Sequence, residues 1–563
     1  QAVGTGTNGA GVYVKPNVPR INSELRVGVA VDTVRGNVYV ASNCGVIKYT
    51  GTRTLLPSTT VNELVVIPKP QSMIRLTGSL ALDKTLLPEA HYTDVSTRVE
   101  RAARSACRYL SPTIQTAAKI PVFLGVVGYD SQVSQKCLEE GITVPTQTNG
   151  YALSISSTGV TIVGRDIVGL FYGLMSLRQL KQDTTNSYLP YVKIEDYPKL
   201  AYRGVHTFTG KNALLEQKRL IDLLASYKMN QIVLQLDYME FKSHPEMWYS
   251  PWGQSQSDVK NLIEYANDRF IDVSPLVNGP GHATWMFRTG YHWELSEDTT
   301  PDAGTIPYAY CITNETTYQI LFDVYDEVVD LFKPKYFHIG HDEPNTASNV
   351  EFPEVSVGYT VRQLLEMDHA KVAQYFANKN INLMFWGDML LYKTESRDGA
   401  ALALSYDDAT GMRANLKQIE NNTGYPKYYI CDWHYGAYPP SDYGSVTVLH
   451  NSGYPTIPST WYDHDNIRNF TLQAIDKGSV GLLQTTWAGF NFRIEANTGS
   501  YYQFEAYVLA ADYSWSGRND YIVGIGYSPK TTFWDKWNKL KAGTETVLDA
   551  SQTPVVDWAL MEE

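Results

Sequence analysis

The sequence predicts an α/β protein: a (β/α)8, TIM-like barrel preceded by a smaller α+β domain. Three observations lead there. From Tyr202 onward, eight β-type segments alternate with helix-type segments, the signature of a parallel fold. Those eight units occupy residues 199–563, a length such a barrel fills. Upstream, a strand, helix, strand, strand, helix succession ends near Asp196 and reads as a separate compact domain.

Residues 1–60 are rich in Gly, Thr, Val and Asn, with short alternating pieces such as GNVYVAS and GVIKYT, and are expected to form a β-rich N-terminal extension. Residues 61–198 carry the α+β domain. Its helix candidates are Ser96–Leu110 and Ile167–Gln182, its strand Ile120–Val127, and its hairpin Tyr151–Asp166. DYPKLAYRG then links to the barrel, whose strands are expected in YRGVHTF, QIVLQLDY, FIDVSPLV, KYFHIGHDE, INLMFWGDM, KYYICDWHY, YPTIPSTWYDH and GLLQTTWAGF. Each ends in polar or aromatic residues, at the strand ends where a barrel collects its chemistry.

Composition narrows the partners. With 43% hydrophobic and 19% charged residues the chain is of ordinary globular type, but 40 Tyr and 12 Trp exceed what a core requires and suit flat-faced ligands such as sugar rings. A formal charge of −12 argues against nucleic acid or an anionic membrane as partner. No apolar run is long enough to span a bilayer. The chain starts at Gln1 and carries sequons at Asn314, Asn421 and Asn469, so a processed, secreted or lumenal glycoprotein is expected, a lysosome- or vacuole-like compartment included. Five scattered cysteines allow at most two disulfides and offer no cysteine metal site.

The chemistry concentrates in KPKYFHIGHDEPNT, Lys333 to Thr346. A short strand there delivers two adjacent carboxylates, Asp342 and Glu343, flanked by His338 and His341. Like charges raise one another's pKa and desolvation adds to it, which suits a site needing one proton donor and one lasting anion. The plainer alternative is that Asp342 caps a helix and Glu343 sits in its first turn. The HxxHD spacing could chelate a metal, but residues three apart on a strand face opposite ways, so no metal ligands are assigned.

With these motifs in order, the chain resembles the family 20 glycoside hydrolases, the β-N-acetylhexosaminidases, from about Val65 to the end. YALSISSTGVTIVGRDIVGLFYGLMSLRQL resembles the family's noncatalytic domain, DYPKLAYRGVH the approach to its barrel, and HIGHDE its HxGxDE signature. The resemblance implies an exo-acting, retaining enzyme for terminal β-linked GlcNAc or GalNAc that uses the substrate's 2-acetamido oxygen as nucleophile, with an oxazolinium intermediate and no cofactor. It makes Glu343 the general acid and Asp342 the acetamido partner, provided the backbone turns between them. Tyr462 would hydrogen-bond the acetamido carbonyl. Trp386, Trp433 and Trp487 would form an aromatic box, Arg203 would hold sugar hydroxyls, and His282 and His338 would tune the acidic pair. The substrate expected is a glycan or chitin-type oligosaccharide; the oligomeric state is open, a homodimer included.

This chain departs from the family pattern at three places. Asn278 heads the PGH element where an Asp is usual, Asp237 and Glu240 follow the second strand, and Gly489 replaces a glutamate that holds outer hydroxyls, with Glu495 or Asp388 as substitutes. Alternatives are therefore a noncatalytic carbohydrate-binding relative, or a glycosidase specialised for a modified amino sugar.

Overall fold

The computed structural model describes residues 64–548 apart from 112–117, 182–186, 299–304, 345–353, 378, 399, 425–426, 489–493 and 495–500, together with four strands between residues 12 and 50. Those strands, β1 (Val12–Val14), β2 (Gly28–Asp32), β3 (Asn37–Ser42) and β4 (Gly45–Thr50), form an antiparallel sheet in sequence order within a unit spanning Gln1–Glu63.

The second unit, Leu64–Glu563, contains two architectures. The first is a six-stranded mixed sheet of β5 (Ser72–Ala81), β6 (Thr85–His91), β7 (Lys119–Val126), β8 (Tyr151–Ser156), β9 (Gly159–Gly164) and β10 (Tyr188–Asp196), in the order β5-β10-β8-β9-β7-β6. Helices Arg98–Leu110 and Ile167–Gln179 pack together on one face. Helix Ser131–Glu140 covers part of the other through a small core of Phe123, Val133 and Val163. Asp130 and Asp166 start two of these helices by accepting the backbone N–H groups of Val133 and Gly169. Helix Ile167–Gln179 is buried almost throughout, because it packs on the sheet and also on the first barrel helix, Leu214–Ser226.

The second is a closed barrel of eight parallel strands: β11 (Tyr202–Phe208), β12 (Gln231–Gln235), β13 (Asp272–Gly279), β14 (Tyr336–Gly340), β15 (Asn382–Trp386), β16 (Tyr428–Trp433), β17 (Thr456–Thr460) and β18 (Gly481–Gln484). All eight expected segments contribute a strand. They were legible because barrel strands are buried on both sides and read as nearly continuous apolar runs. Inside, Tyr202, Val233, Leu276, Tyr336, Met384, Trp386, Cys431, Ile457 and Leu483 form one packed cluster, at least one residue from every strand. This fixes which alternate residues face inward, and that parity decides the site.

Cys107, Cys137, Cys311 and Cys431 are free thiols; Cys44 lies outside the described residues. Of the sequon asparagines, Asn421 is exposed and Asn314 half-buried. Asn469 is buried and its amide donates to the Tyr438 carbonyl at 2.7 Å, so the folded chain does not present it for modification. Among the described residues, no helix is long and apolar enough to cross a membrane.

Candidate active site

Tyr336, at the start of β14, belongs to the barrel's interior cluster, so His338 and Gly340 share its inward side and His341 points outward. His341 accordingly reaches Asp368 on helix Val361–Phe376, with Nε2 2.7 Å from Oδ2, and stacks on His369 with centroids 4.1 Å apart. Beyond the strand the backbone turns through left-handed conformations at Gly340 (φ 76°), His341 (φ 68°) and Glu343 (φ 47°). Only glycine suits residue 340, where a Cβ would also lie 2.8 Å from Asn278 Oδ1. The turn at Glu343 brings its carboxylate to the same place as that of Asp342: His282 Nε2 sits 3.5 Å from Asp342 Oδ2 and 3.4 Å from Glu343 Oε2. The helix-cap alternative for Asp342 therefore gives way to the paired arrangement.

His282 lies just past β13 and is itself left-handed (φ 52°). Burial opposes its charge, but the two carboxylates outweigh it and raise the imidazole to about 9. Asp342 is raised by burial and then by the charge of Glu343, with His282 pulling the other way. Its Oδ1 is buried without a hydrogen-bond partner, an acceptor suited to an N–H donor.

Two further carboxyls surround the pair. Asp237, after β12, is raised to about 7, mainly by burial, and receives hydrogen bonds from Gln235 Nε2 at 2.7 Å and Asn278 Nδ2 at 3.3 Å. Asn278 thus has a physical reason: an aspartate there would face a second anion. Asp388, after β15, is raised to about 8 by burial and the Asp342 charge. It accepts the Glu343 backbone N–H at 3.0 Å and the Trp433 indole N–H at 3.2 Å, so it positions the turn and one aromatic wall. Glu240 instead receives the Gln256 backbone N–H. Gly489 and Glu495 lie outside the described residues.

The three tryptophans do converge. Trp386 is buried against His338 (4.6 Å between centroids), His206 (6.0 Å) and Trp487 (5.9 Å); Trp487 is 37% exposed. Trp433 lies against Tyr435 at 5.2 Å. His338 is fully buried, held well below its ordinary pKa by burial, and its Nδ1 accepts the Gly340 N–H. It is a neutral ring beneath Trp386 and does not touch the carboxylates as expected; His282 does that alone among the described histidines.

Two expected site residues are corrected. Arg203 is the second residue of β11, at the end opposite the carboxylates, and with Tyr202 facing inward it points out of the barrel. Its guanidinium donates to the carbonyls of Lys228, Leu200 and Ala201 and to the Tyr172 hydroxyl, and lies over the Trp515 ring. Arg203→Met should cost about 3 kcal/mol or more, because it strands several buried acceptors. Urea unfolding and assays of the folded fraction check this; a raised KM at unchanged stability would restore the sugar-binding role. Tyr462 lies one residue out of register with the inward side of β17: its ring rests on Trp461 (4.4 Å) and Tyr502 (4.5 Å) and lines a separate surface cavity with His464 and Glu505. The inward tyrosine is Tyr435, two residues past Trp433. Its hydroxyl accepts the Trp487 indole N–H at 3.0 Å, and its pKa is raised mainly by burial, with the charges of Asp342 and Glu343 adding to it.

Residues 200–426 match the sequence profile "Glycosyl hydrolase family 20, catalytic domain", and residues 63–197 match "Glycosyl hydrolase family 20, domain 2". The chain belongs to glycoside hydrolase family 20. Among its relatives, a β-hexosaminidase of Porphyromonas gingivalis is 30% identical over 241 residues, covering 36% of this chain and 30% of that protein. A β-hexosaminidase of Vibrio furnissii is 27% identical over 325 residues, covering 52% and 50%. The matched regions thus span 30% to 50% of these relatives' lengths. The fold is shared with the family 20 exo β-N-acetylglucosaminidase of Vibrio harveyi (TM-score 0.61, 16% identity, 92% and 84% of the two chains) and the chitobiase of Flavobacterium johnsoniae (TM-score 0.59, 19%, 84% and 73%).

Proposed function

We propose that this family 20 chain is an exo-acting, retaining β-N-acetylhexosaminidase that removes terminal β-linked GlcNAc or GalNAc from glycoconjugates or chitin-type oligosaccharides. Residues 61–198 would be its noncatalytic domain and 199–563 its catalytic barrel. The observation that carries the proposal is the convergence of Asp342 and Glu343 on His282 at the barrel mouth, beside Trp386, Trp433, Trp487 and Tyr435.

The two carboxyls differ in depth. The Asp342 side chain is 13% exposed and that of Glu343 32%. A sugar entering by its non-reducing end would place its acetamido group at the inner carboxylate and its glycosidic oxygen at the outer one. Asp342 Oδ1 then accepts the acetamido N–H and turns the carbonyl oxygen toward the anomeric carbon, while the Tyr435 hydroxyl, in the role expected of Tyr462, donates to that oxygen. As the carbonyl oxygen bonds to the anomeric carbon, Glu343 protonates the departing glycosidic oxygen, and the oxazolinium charge faces Asp342. Water, activated by the Glu343 carboxylate, then opens the ring with overall retention. The His282 imidazolium steadies both carboxylates through the cycle.

A purely binding role would not need the left-handed backbone at His282, His341 and Glu343, which costs on the order of 1–3 kcal/mol at each residue. Secretion or a lumenal location is part of the proposal, supported by the exposed Asn421 and half-buried Asn314 sequons. The test is hydrolysis of aryl β-GlcNAc, aryl β-GalNAc and aryl β-glucoside, each with and without a thiazoline mimic of the cyclised intermediate. Cleavage of an acetamido sugar with thiazoline inhibition is expected. Turnover of the glucoside alone would overturn the mechanism, and tight thiazoline binding without turnover would favour a binding protein.

A further inference from the structure

The loops that follow β12 and β13 meet at a cluster the reaction does not use. His244 and Glu246 belong to the first loop, His292 to the second, and Asp323 to helix Glu315–Phe332. Glu246 Oε1 lies 3.0 Å from His244 Nδ1 and 2.9 Å from His292 Nε2, with the two rings near perpendicular and their centroids 6.2 Å apart. His244 Nε2 faces Asp323 Oδ2 at 3.3 Å. Among the described residues, one other set of three such side chains comes as close together, the catalytic trio His282, Asp342 and Glu343.

What points beyond a simple ion pair is the convergence of donors: one carboxylate oxygen of Glu246 meets two imidazole nitrogens from two different loops, and a second carboxylate stands behind one of those rings. We propose that His244 Nδ1, Glu246 Oε1 and His292 Nε2 bind a zinc ion, with Asp323 holding His244 in the ligating tautomer. The donor set is two imidazoles and a carboxylate, a common zinc chemistry, and a tetrahedral zinc with bonds of about 2.0–2.1 Å spaces its donors about 3.3 Å apart, so the carboxylate oxygen and each ring nitrogen need part only by a few tenths of an ångström, with all three donors within 4.8 Å of one another. A carboxylate behind a ligating histidine is the usual supporting partner. The side chains are 15%, 28% and 18% exposed, which gives an ion access and leaves its fourth position to water. The ion would clip together the loop that follows Asp237 and the loop that carries His282. Its role is structural, and it takes no part in bond cleavage.

The test uses the full chain, stripped with a chelator, dialysed and titrated with Zn2+, with Co2+ as a spectroscopic substitute. One equivalent per chain is expected, with the visible absorption of tetrahedral Co2+ and a Tm that rises with zinc. Glu246→Gln and His292→Ala should each lose that equivalent, and Asp323→Asn should weaken it about 10- to 100-fold. Asp342→Asn should keep it. The site is overturned by an absence of binding in the parent, by binding that survives Glu246→Gln and His292→Ala, or by loss in Asp342→Asn, which would assign the ion to the catalytic trio. Circular dichroism confirms that each variant is folded, and Asp323→Asn, at an exposed helix position, supplies a readout should the loop variants fail to fold.

Discussion

Glu343→Gln is expected to lower kcat/KM on chitin-type oligosaccharides by about 10²- to 10⁴-fold. An aryl glycoside with a strongly acidic leaving group should remain within about tenfold of the parent, because that oxygen departs without a proton. The asymmetry follows from the geometry: Glu343 is the outer carboxyl of the pair, and glutamine keeps its size and its place against His282 while removing the proton it transfers. Its backbone N–H still donates to Asp388, so the turn itself should persist. The two rates, measured side by side, separate the roles. Equal losses on both substrates would mean that Glu343 holds the sugar or the fold and is not the acid.

Asp342→Asn should instead lower kcat by about 10²- to 10³-fold on every substrate, good leaving group or poor, because it removes the charge that faces the oxazolinium. An unchanged kcat would refute that role. A second readout lies in His282. Burial opposes its charge, but the Asp342 and Glu343 carboxylates together raise its pKa to about 9, so the variant's imidazole should titrate lower, as followed by NMR. The sign for stability follows. A group whose pKa is raised on folding contributes fully below its unfolded value of about 6.5, and the contribution is lost as pH rises through about 9. The parent should therefore lose more stability than the variant between neutral pH and pH 9.

Much of this was legible in the residues. The eight barrel strands announce themselves as apolar runs, and HIGHDE carries the paired carboxylates together with the glycine that the turn demands. Arg203 and Tyr462 depart from expectation because of strand parity. Arg203 stands one residue after an inward tyrosine at the start of β11, so it points out of the barrel at its far end; Tyr462 is out of phase with Ile457 and Ser459, whereas Tyr435 is in phase with Trp433. Parity could have found both. Asp237 and Asp388 are another matter. Their raised pKa values arise first from burial at the barrel mouth and only then from the charge of Asp342, which β14 brings close from a distant part of the chain, and nothing in their local sequence carries either. His338 misled for the same reason: its neighbours in sequence are catalytic, but its neighbours in space are Trp386 and His206.

Asp196, the last residue of β10, sits fully buried where the mixed sheet meets the barrel. Its carboxylate receives Lys228 from the first barrel helix's end, Trp515 from the helix Tyr502–Ser516, Tyr151 from β8 and the backbone of Gln71. With Arg203 reaching Tyr172 across the same boundary, the barrel's underside is completed by groups it does not itself encode. Without the preceding 130 or so residues Lys228 would lose both Asp196 and Tyr151, and Arg203 would lose the Tyr172 hydroxyl. In evolutionary terms the two domains form one heritable part, because a gene fragment beginning at the DYPKL junction would have to replace these contacts. The smaller domain need never touch a sugar to be retained.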